Sequence, residues 1–76
     1  MRSPYSARYK QFLKRLREAR RQAGLTQAAV AGAFRRPQSF VSKCESGERR
    51  VDVIELEDFA RLYRKSIAFF LARAGS

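Results

Sequence analysis

Few side chains in this sequence can do covalent or acid–base chemistry. It has no histidine and one cysteine, Cys44, beside 17 lysines and arginines and 7 aspartates and glutamates. Histidine-based dyads and triads are therefore excluded, and so is the usual structural zinc site, built from several Cys and His ligands. No nucleophile, base and metal set can be assembled, so neither an enzyme nor a cofactor or metal is expected. What remains is the chemistry of charge. A formal net charge of +10 calls for an anionic partner, nucleic acid before an acidic membrane or an acidic protein.

That charge is unevenly placed. Residues 1–50 hold 13 of the basic and 3 of the acidic residues, whereas residues 51–76 hold 4 of each and are neutral. A chain of 76 residues makes one domain and buries only roughly 60–65% of its unfolded surface. Its apolar fraction of 45% is that of a folding protein and too high for a disordered polycation. A lone cysteine cannot close an internal disulfide, which fits a reduced, cytoplasmic setting. Residues 1–10 contain no apolar stretch like a signal peptide, and the longest apolar run, Ile67 to Ala72, has six residues. Neither secretion nor membrane spanning is expected.

The elements that must position the charge read as helices. From Ser6 to Ala23, apolar residues recur at Tyr9, Phe12, Leu13, Leu16, Ala19 and Ala23, the spacing of one helical face, and Gly24 ends the run. Arg8, Lys10, Lys14, Arg15, Arg17, Arg20 and Arg21 occupy its other faces and read as a solvated surface that raises the attractive potential. Thr26 is placed to cap a short second helix, Gln27 to Phe34. Pro37 interrupts it and opens a third, from about Pro37 to Ser46, with Phe40, Val41 and Cys44 inward and Gly47 as terminator. Cys44 reads as a small buried apolar residue, with redox sensing by its thiol the alternative. Asp52 and Glu55 have capping-box spacing for a fourth helix, whose predicted buried stripe is Val53, Leu56, Phe59, Ala60 and Tyr63. Ser66 can cap a last helix, Ile67 to Ala74, with Ile67, Phe70, Leu71 and Ala74 at helical spacing. No alternating strand pattern competes, so the fold class is all-α, a five-helix bundle spanning residues 1–76.

Two short helices joined by a tight turn inside a basic bundle have the arrangement of a helix-turn-helix. The segment Leu25-Thr26-Gln27-Ala28-Ala29-Val30-Ala31, followed by Pro37-Gln38-Ser39-Phe40-Val41-Ser42-Lys43-Cys44-Glu45-Ser46-Gly47-Glu48-Arg49, resembles the phage repressor and Cro type of helix-turn-helix, the XRE family of transcriptional regulators. The similarity runs from about Phe12 to Tyr63, with the helix-turn-helix core at about 26–47. It implies a lambda repressor-like DNA-binding fold. It implies further that Gln38, Ser39, Ser42 and Lys43 face base edges, and that Gln27 bonds a phosphate and braces the recognition helix. Ser46, Arg49 and Arg50 fall where the family holds the sugar-phosphate backbone, and Glu45 falls at a structural position. The turn departs from the family pattern, with Arg35 where glycine is usual; Arg35 and Arg36 are themselves able to reach phosphates. Cys44 stands where leucine or isoleucine is common.

The side-chain chemistry agrees with that transfer. Glutamine donates and accepts in one plane, as adenine's N6 and N7 require, and lysine donates to guanine O6 or N7. Arginines and helix N-termini neutralise phosphates and fix register without reading sequence. The competing reading of Gln27, Gln38 and the polar third-helix face is plain solvent exposure.

One recognition helix reads few base pairs, so a homodimer on a palindromic site is expected, with the dimer contact at Ile67, Phe69, Phe70 and Leu71. Phe69 lies off the fifth helix's apolar stripe and is the residue there that points to a partner surface. The expected function is a sequence-specific transcriptional regulator, a repressor before an activator, cytoplasmic and nucleoid-associated. Within the resemblance, an antitoxin that also binds a toxin protein, or a restriction-modification controller protein, is the alternative. A non-specific nucleic-acid or RNA-associated binder is a further one. A cationic membrane binder is disfavoured, because the apolar stripes are needed for the core.

Overall fold

The structure, a computed structural model, describes residues 6–71. It contains α1 (Ala7–Gln22), α2 (Gln27–Phe34), α3 (Gln38–Ser46), α4 (Val53–Tyr63) and α5 (Ile67–Leu71), and no strand among the described residues. The predicted all-α, five-helix arrangement is what forms. Ala74 and the predicted end of the last helix lie outside the described residues.

Local chemistry sets most helix ends. Ser6 Oγ accepts from the Tyr9 N–H at 3.1 Å and Thr26 Oγ1 from the Ala29 N–H at 3.0 Å. Asp52 and Glu55 form a complete capping box, each carboxylate taking the other residue's backbone N–H. Three helices close the same way: α1 through Leu25 N–H to Arg20 C=O (3.2 Å), α2 through Arg36 N–H to Ala31 C=O (2.9 Å), and α4 through Lys65 N–H to Ala60 C=O (3.0 Å). This is the Schellman closure, which needs a left-handed residue just past the helix. Gly24 supplies it after α1, while Arg35 (φ 56°) and Arg64 (φ 57°) supply it after α2 and α4. Pro37 stands outside α3 as its N-cap, with extended backbone and no side-chain cap, so the third helix starts one residue later than predicted.

The helices pack around Phe59, which is fully buried. Phe34 meets it edge-on at 5.1 Å, Phe40 stacks parallel at 6.3 Å and Tyr63 lies at 5.8 Å. Phe70 of α5 is buried against Phe12 of α1 at 6.4 Å, so the last helix closes the bundle over the first. Leu16, Ala19, Val30, Val41 and Cys44 complete the centre at full or nearly full burial.

Two expected core positions are corrected. Val53 is 75% exposed, because Leu56, Phe59, Ala60 and Tyr63 centre the buried stripe about 70° around the helix from it. Ala23 is exposed beyond the end of α1. No described helix is long and apolar enough to cross a membrane.

Candidate nucleic-acid interface

The turn between α2 and α3 keeps the geometry a glycine would give although Arg35 occupies it, with φ 56° and ψ 44°. A non-glycine residue in this conformation costs about 1 kcal/mol, and the two backbone hydrogen bonds of the closure, from Arg35 and Arg36, hold it there. The turn presents α3 with Phe40, Val41, Cys44 and Glu45 inward. Gln38, Ser39, Lys43 and Ser46 are exposed and Ser42 is half-buried, so the four predicted base-reading residues share one open face. Ser42 Oγ donates to the Ser39 carbonyl at 3.2 Å, which keeps the side chain close to the helix surface. Lys43 reaches Glu48 only at 3.9 Å, both well exposed, a pairing that leaves the ammonium available.

Behind this face lies an ionic brace. Glu45 is 2% exposed and receives Arg20 through two bonds, Nε to Oε2 at 2.7 Å and Nη2 to Oε1 at 3.2 Å. Gln27 Nε2 donates to the same Oε1 at 3.0 Å, and Arg20 Nη1 donates to the Leu25 carbonyl at 3.0 Å. Arg17 Nη1 donates to the Glu45 carbonyl at 3.0 Å. One buried carboxylate thus ties α1, the start of α2 and the carboxyl end of α3 together. The bidentate bond to Glu45 is also what raises the Arg20 pKa, against the opposing effect of burial. By sequence spacing alone Arg17 and Arg20 fall on a solvated face of α1. Their position on the edge of the apolar stripe, Arg20 four residues beyond Leu16, was the available signal for a second role.

After α3 comes the loop that carries the predicted phosphate-binding arginines. Arg49 forks onto Glu55 at 2.7 and 2.8 Å and also donates to the Arg50 carbonyl at 3.0 Å. That fork holds the Glu55 carboxyl below its ordinary value of 4.5 and raises Arg49 further. The guanidiniums of Arg36 and Arg49 lie over the Phe40 ring at 4.3 and 5.0 Å. Arg50 lies over the Tyr9 ring at 4.4 Å, while Tyr9 Oη accepts from the Val51 N–H at 3.0 Å. Ser46 Oγ donates to the Lys43 carbonyl at 3.2 Å and accepts from the Glu48 N–H at 3.3 Å, closing the end of α3. Arg35 is exposed at the turn. The structure therefore groups Arg36 and Arg49 on one aromatic ring, seats Arg50 on another, and sets Gln27 apart from them at the brace.

Cys44 is fully buried, and burial pushes its thiol upward, with Arg49 pulling the other way. That is the environment of a packing residue. No group of three or more Cys, Asp or Glu able to hold a metal occurs among the described residues.

The predicted dimer residues divide. Phe70 is 1% exposed and belongs to the core, which corrects its placement at a subunit contact. Phe69 is half-buried, with Arg15 and Lys65 over its ring at 5.5 and 4.7 Å, so it is a packed side chain rather than an exposed aromatic. Ile67 and Leu71 are exposed at 39% and 50%.

Two short helices set by a tight turn, an open polar face on the second and arginines at both its ends define a helix-turn-helix DNA-binding module. Residues 11–67 match the family described as "Helix-turn-helix domain". The fold is similar to that of an XRE-family like protein from Pseudomonas syringae pv. tomato str. DC3000, at 51% identity and a TM-score of 0.78, over 86% of this chain and 79% of that one. The comparison with curated proteins gave no match. The chain belongs to the XRE-type helix-turn-helix family of DNA-binding regulators.

Proposed function

We propose that the protein is a sequence-specific repressor that reads a palindromic operator as a homodimer. The observation that carries this reading is the open face of α3. Gln38, Ser39, Ser42 and Lys43 stand there without a bulky apolar side chain, with Gln27 bonded to Glu45 at one edge of the helix and Arg36 and Arg49 over Phe40 at the other. Gln38 and Lys43 have the donors and acceptors that purine edges require, and the serines let the helix backbone approach the groove floor. Gln27, Arg35, Arg36, Ser46, Arg49 and Arg50 fix register on the backbone. Arg36, Arg49 and Arg50 are held against Phe40 and Tyr9, so less side-chain freedom is lost on binding. Repression needs no more than occupancy of a promoter.

The dimer contact is assigned to the exposed apolar residues of α4 and α5. Val53 and Ile54 are 75% and 64% exposed, and they join Ile67 and Leu71 as the large apolar side chains left in solvent among the described residues. Leu71 also borders an apolar groove of about 580 Å³ walled by Tyr9, Phe12, Val51, Leu56 and Phe70. A palindromic operator requires such a dimer to hold its two recognition helices about 34 Å apart, one turn of duplex.

Selection of bound duplexes from a random library tests the proposal, since it reports base preference, symmetry and half-site spacing together. Enriched inverted repeats are the expected result; an unenriched pool would refute base reading. Gln38→Ala and Lys43→Ala are each expected to cost about 1–3 kcal/mol on the selected duplex. Equal losses on selected and random duplexes would mean that neither side chain reads bases. A strict monomer by sedimentation, free and on DNA, would remove the dimer.

A further inference from the structure

We infer that the outer ridge of α1 is a second backbone-binding surface, which extends the DNA footprint onto phosphates flanking the base pairs under α3. The inference rests on the DNA-binding reading above. Lys10, Lys14, Arg17 and Arg21 recur at i, i+4, i+7 and i+11, which places them within an arc of roughly 60° and along about 16 Å of helix. Lys10, Lys14 and Arg21 are exposed, and no carboxylate among the described residues pairs with them. Like charges one helical turn apart destabilise a helix, so the row lowers the stability of α1, and within it only Arg17, through the Glu45 carbonyl, gains a bond that anchors it to the rest of the fold. A row of phosphates is the complementary partner.

Its position in the fold favours DNA over another polyanion. α1 lies across the carboxyl end of α3. Near its start Tyr9 meets Val51 and Arg50, and near its end Arg20 reaches Leu25 and the Glu45 carboxylate that Gln27 also contacts. The ridge therefore runs from the arginine loop to the start of α2, the two places assigned to backbone contacts. Arg17 and Arg20, bonded to Glu45, mark the seam between α1 and α3. On α1 the residues outward of that seam are Lys10, Lys14 and Arg21; on α3 they are Gln38, Ser42 and Ser46. Helical spacing sets both rows on the solvent side of that seam. At an axial rise of 3.4 Å per base pair, the ridge is as long as about five base pairs of duplex.

The test is the triple variant Lys10→Gln/Lys14→Gln/Arg21→Gln, which leaves Arg17 and its bond to Glu45 in place. Affinity is measured from 50 to 200 mM salt on the selected duplex in a 40-base-pair context and on the same duplex trimmed to the selected base pairs. On the long duplex the variant is expected to flatten the slope of log affinity against log salt by about 2.7, which is about 0.9 for each charge removed. The wild type's advantage then shrinks about 40-fold across that range. On the trimmed duplex the two proteins are expected to converge, and their preference for selected over random sequence is expected to be equal. A control, Arg61→Gln/Lys65→Gln, removes charge from the far end of α4 and is expected to leave the slope unchanged.

Equal slopes for wild type and triple variant would overturn the inference, and so would a control that flattens the slope as much per charge. Unchanged DNA slopes together with lost binding to phosphatidylserine vesicles would assign the ridge to membranes and overturn it as well. If the wild type shows no sequence preference, base reading falls, and the ridge is still decided by its salt and length dependence on random duplex.

Discussion

Replacing Glu45 with leucine should be among the most damaging single changes in this protein. The side chains of Arg20 and Glu45 are only 13% and 3% exposed. Glu45→Leu removes two bonds from the Arg20 guanidinium and one from Gln27, and leaves Arg20 with the Leu25 carbonyl alone. An uncompensated charge at such a site costs about 3–5 kcal/mol. At roughly 0.05–0.15 kcal/mol per residue, a domain of this length holds on the order of 4–11 kcal/mol in all. The variant is therefore expected near the edge of folding, with Tm lowered by roughly 12–40 °C. The second half of the prediction is the informative one. Arg20→Met/Glu45→Leu removes both charges and replaces them with apolar side chains of similar size, so it should recover most of the loss. Urea unfolding followed by circular dichroism, run on wild type, both single variants and the double variant, gives the coupling energy directly. A loss below about 1 kcal/mol for Glu45→Leu, or a double variant as unstable as the two single losses added, would refute the brace as a compensated buried pair.

Arg35→Gly and Arg64→Gly each relieve a left-handed arginine and are expected to raise stability by about 0.5–1 kcal/mol in thermal or urea melts; Arg64→Gly should leave DNA affinity unchanged. Tyr63→Phe removes a buried hydroxyl that has no protein hydrogen-bond partner, so it is expected to be neutral or stabilising by up to about 1 kcal/mol in urea unfolding, and a clear loss would contradict that environment. Glu55 is ionised below its ordinary 4.5 in the folded state, so its bond to Arg49 contributes stability that is present above that value and lost as pH falls through the depressed one. Glu55→Gln keeps the capping-box shape. Its deficit relative to wild type should be full at pH 7 and shrink at pH 3, and a deficit independent of pH would rule out the ionic contribution.

The helices and the turn between α2 and α3 were legible from residue types alone, because each depends on neighbours within about four residues, and the division of charge is a count along the chain. Thr26, Asp52 and Glu55 announce helix starts whatever the rest of the chain does, and Gln38, Ser39, Ser42 and Lys43 share a face once α3 exists. How far each helix is rotated about its axis, and what it meets, is settled by packing between helices far apart in the chain. Val53 and Phe70 both sit at helical spacing with core residues, yet one is in solvent and the other inside. A shift of one residue turns a helix by 100°, so spacing finds a stripe without locating its edges. Arg20 and Glu45, 25 residues apart, and Tyr9 and Val51, 42 apart, meet because α1 crosses the end of α3. Nothing in either local pattern encodes that crossing. Arg20 therefore reads as one more surface cation in the sequence and becomes, in the fold, the counter-ion that holds the recognition helix in place.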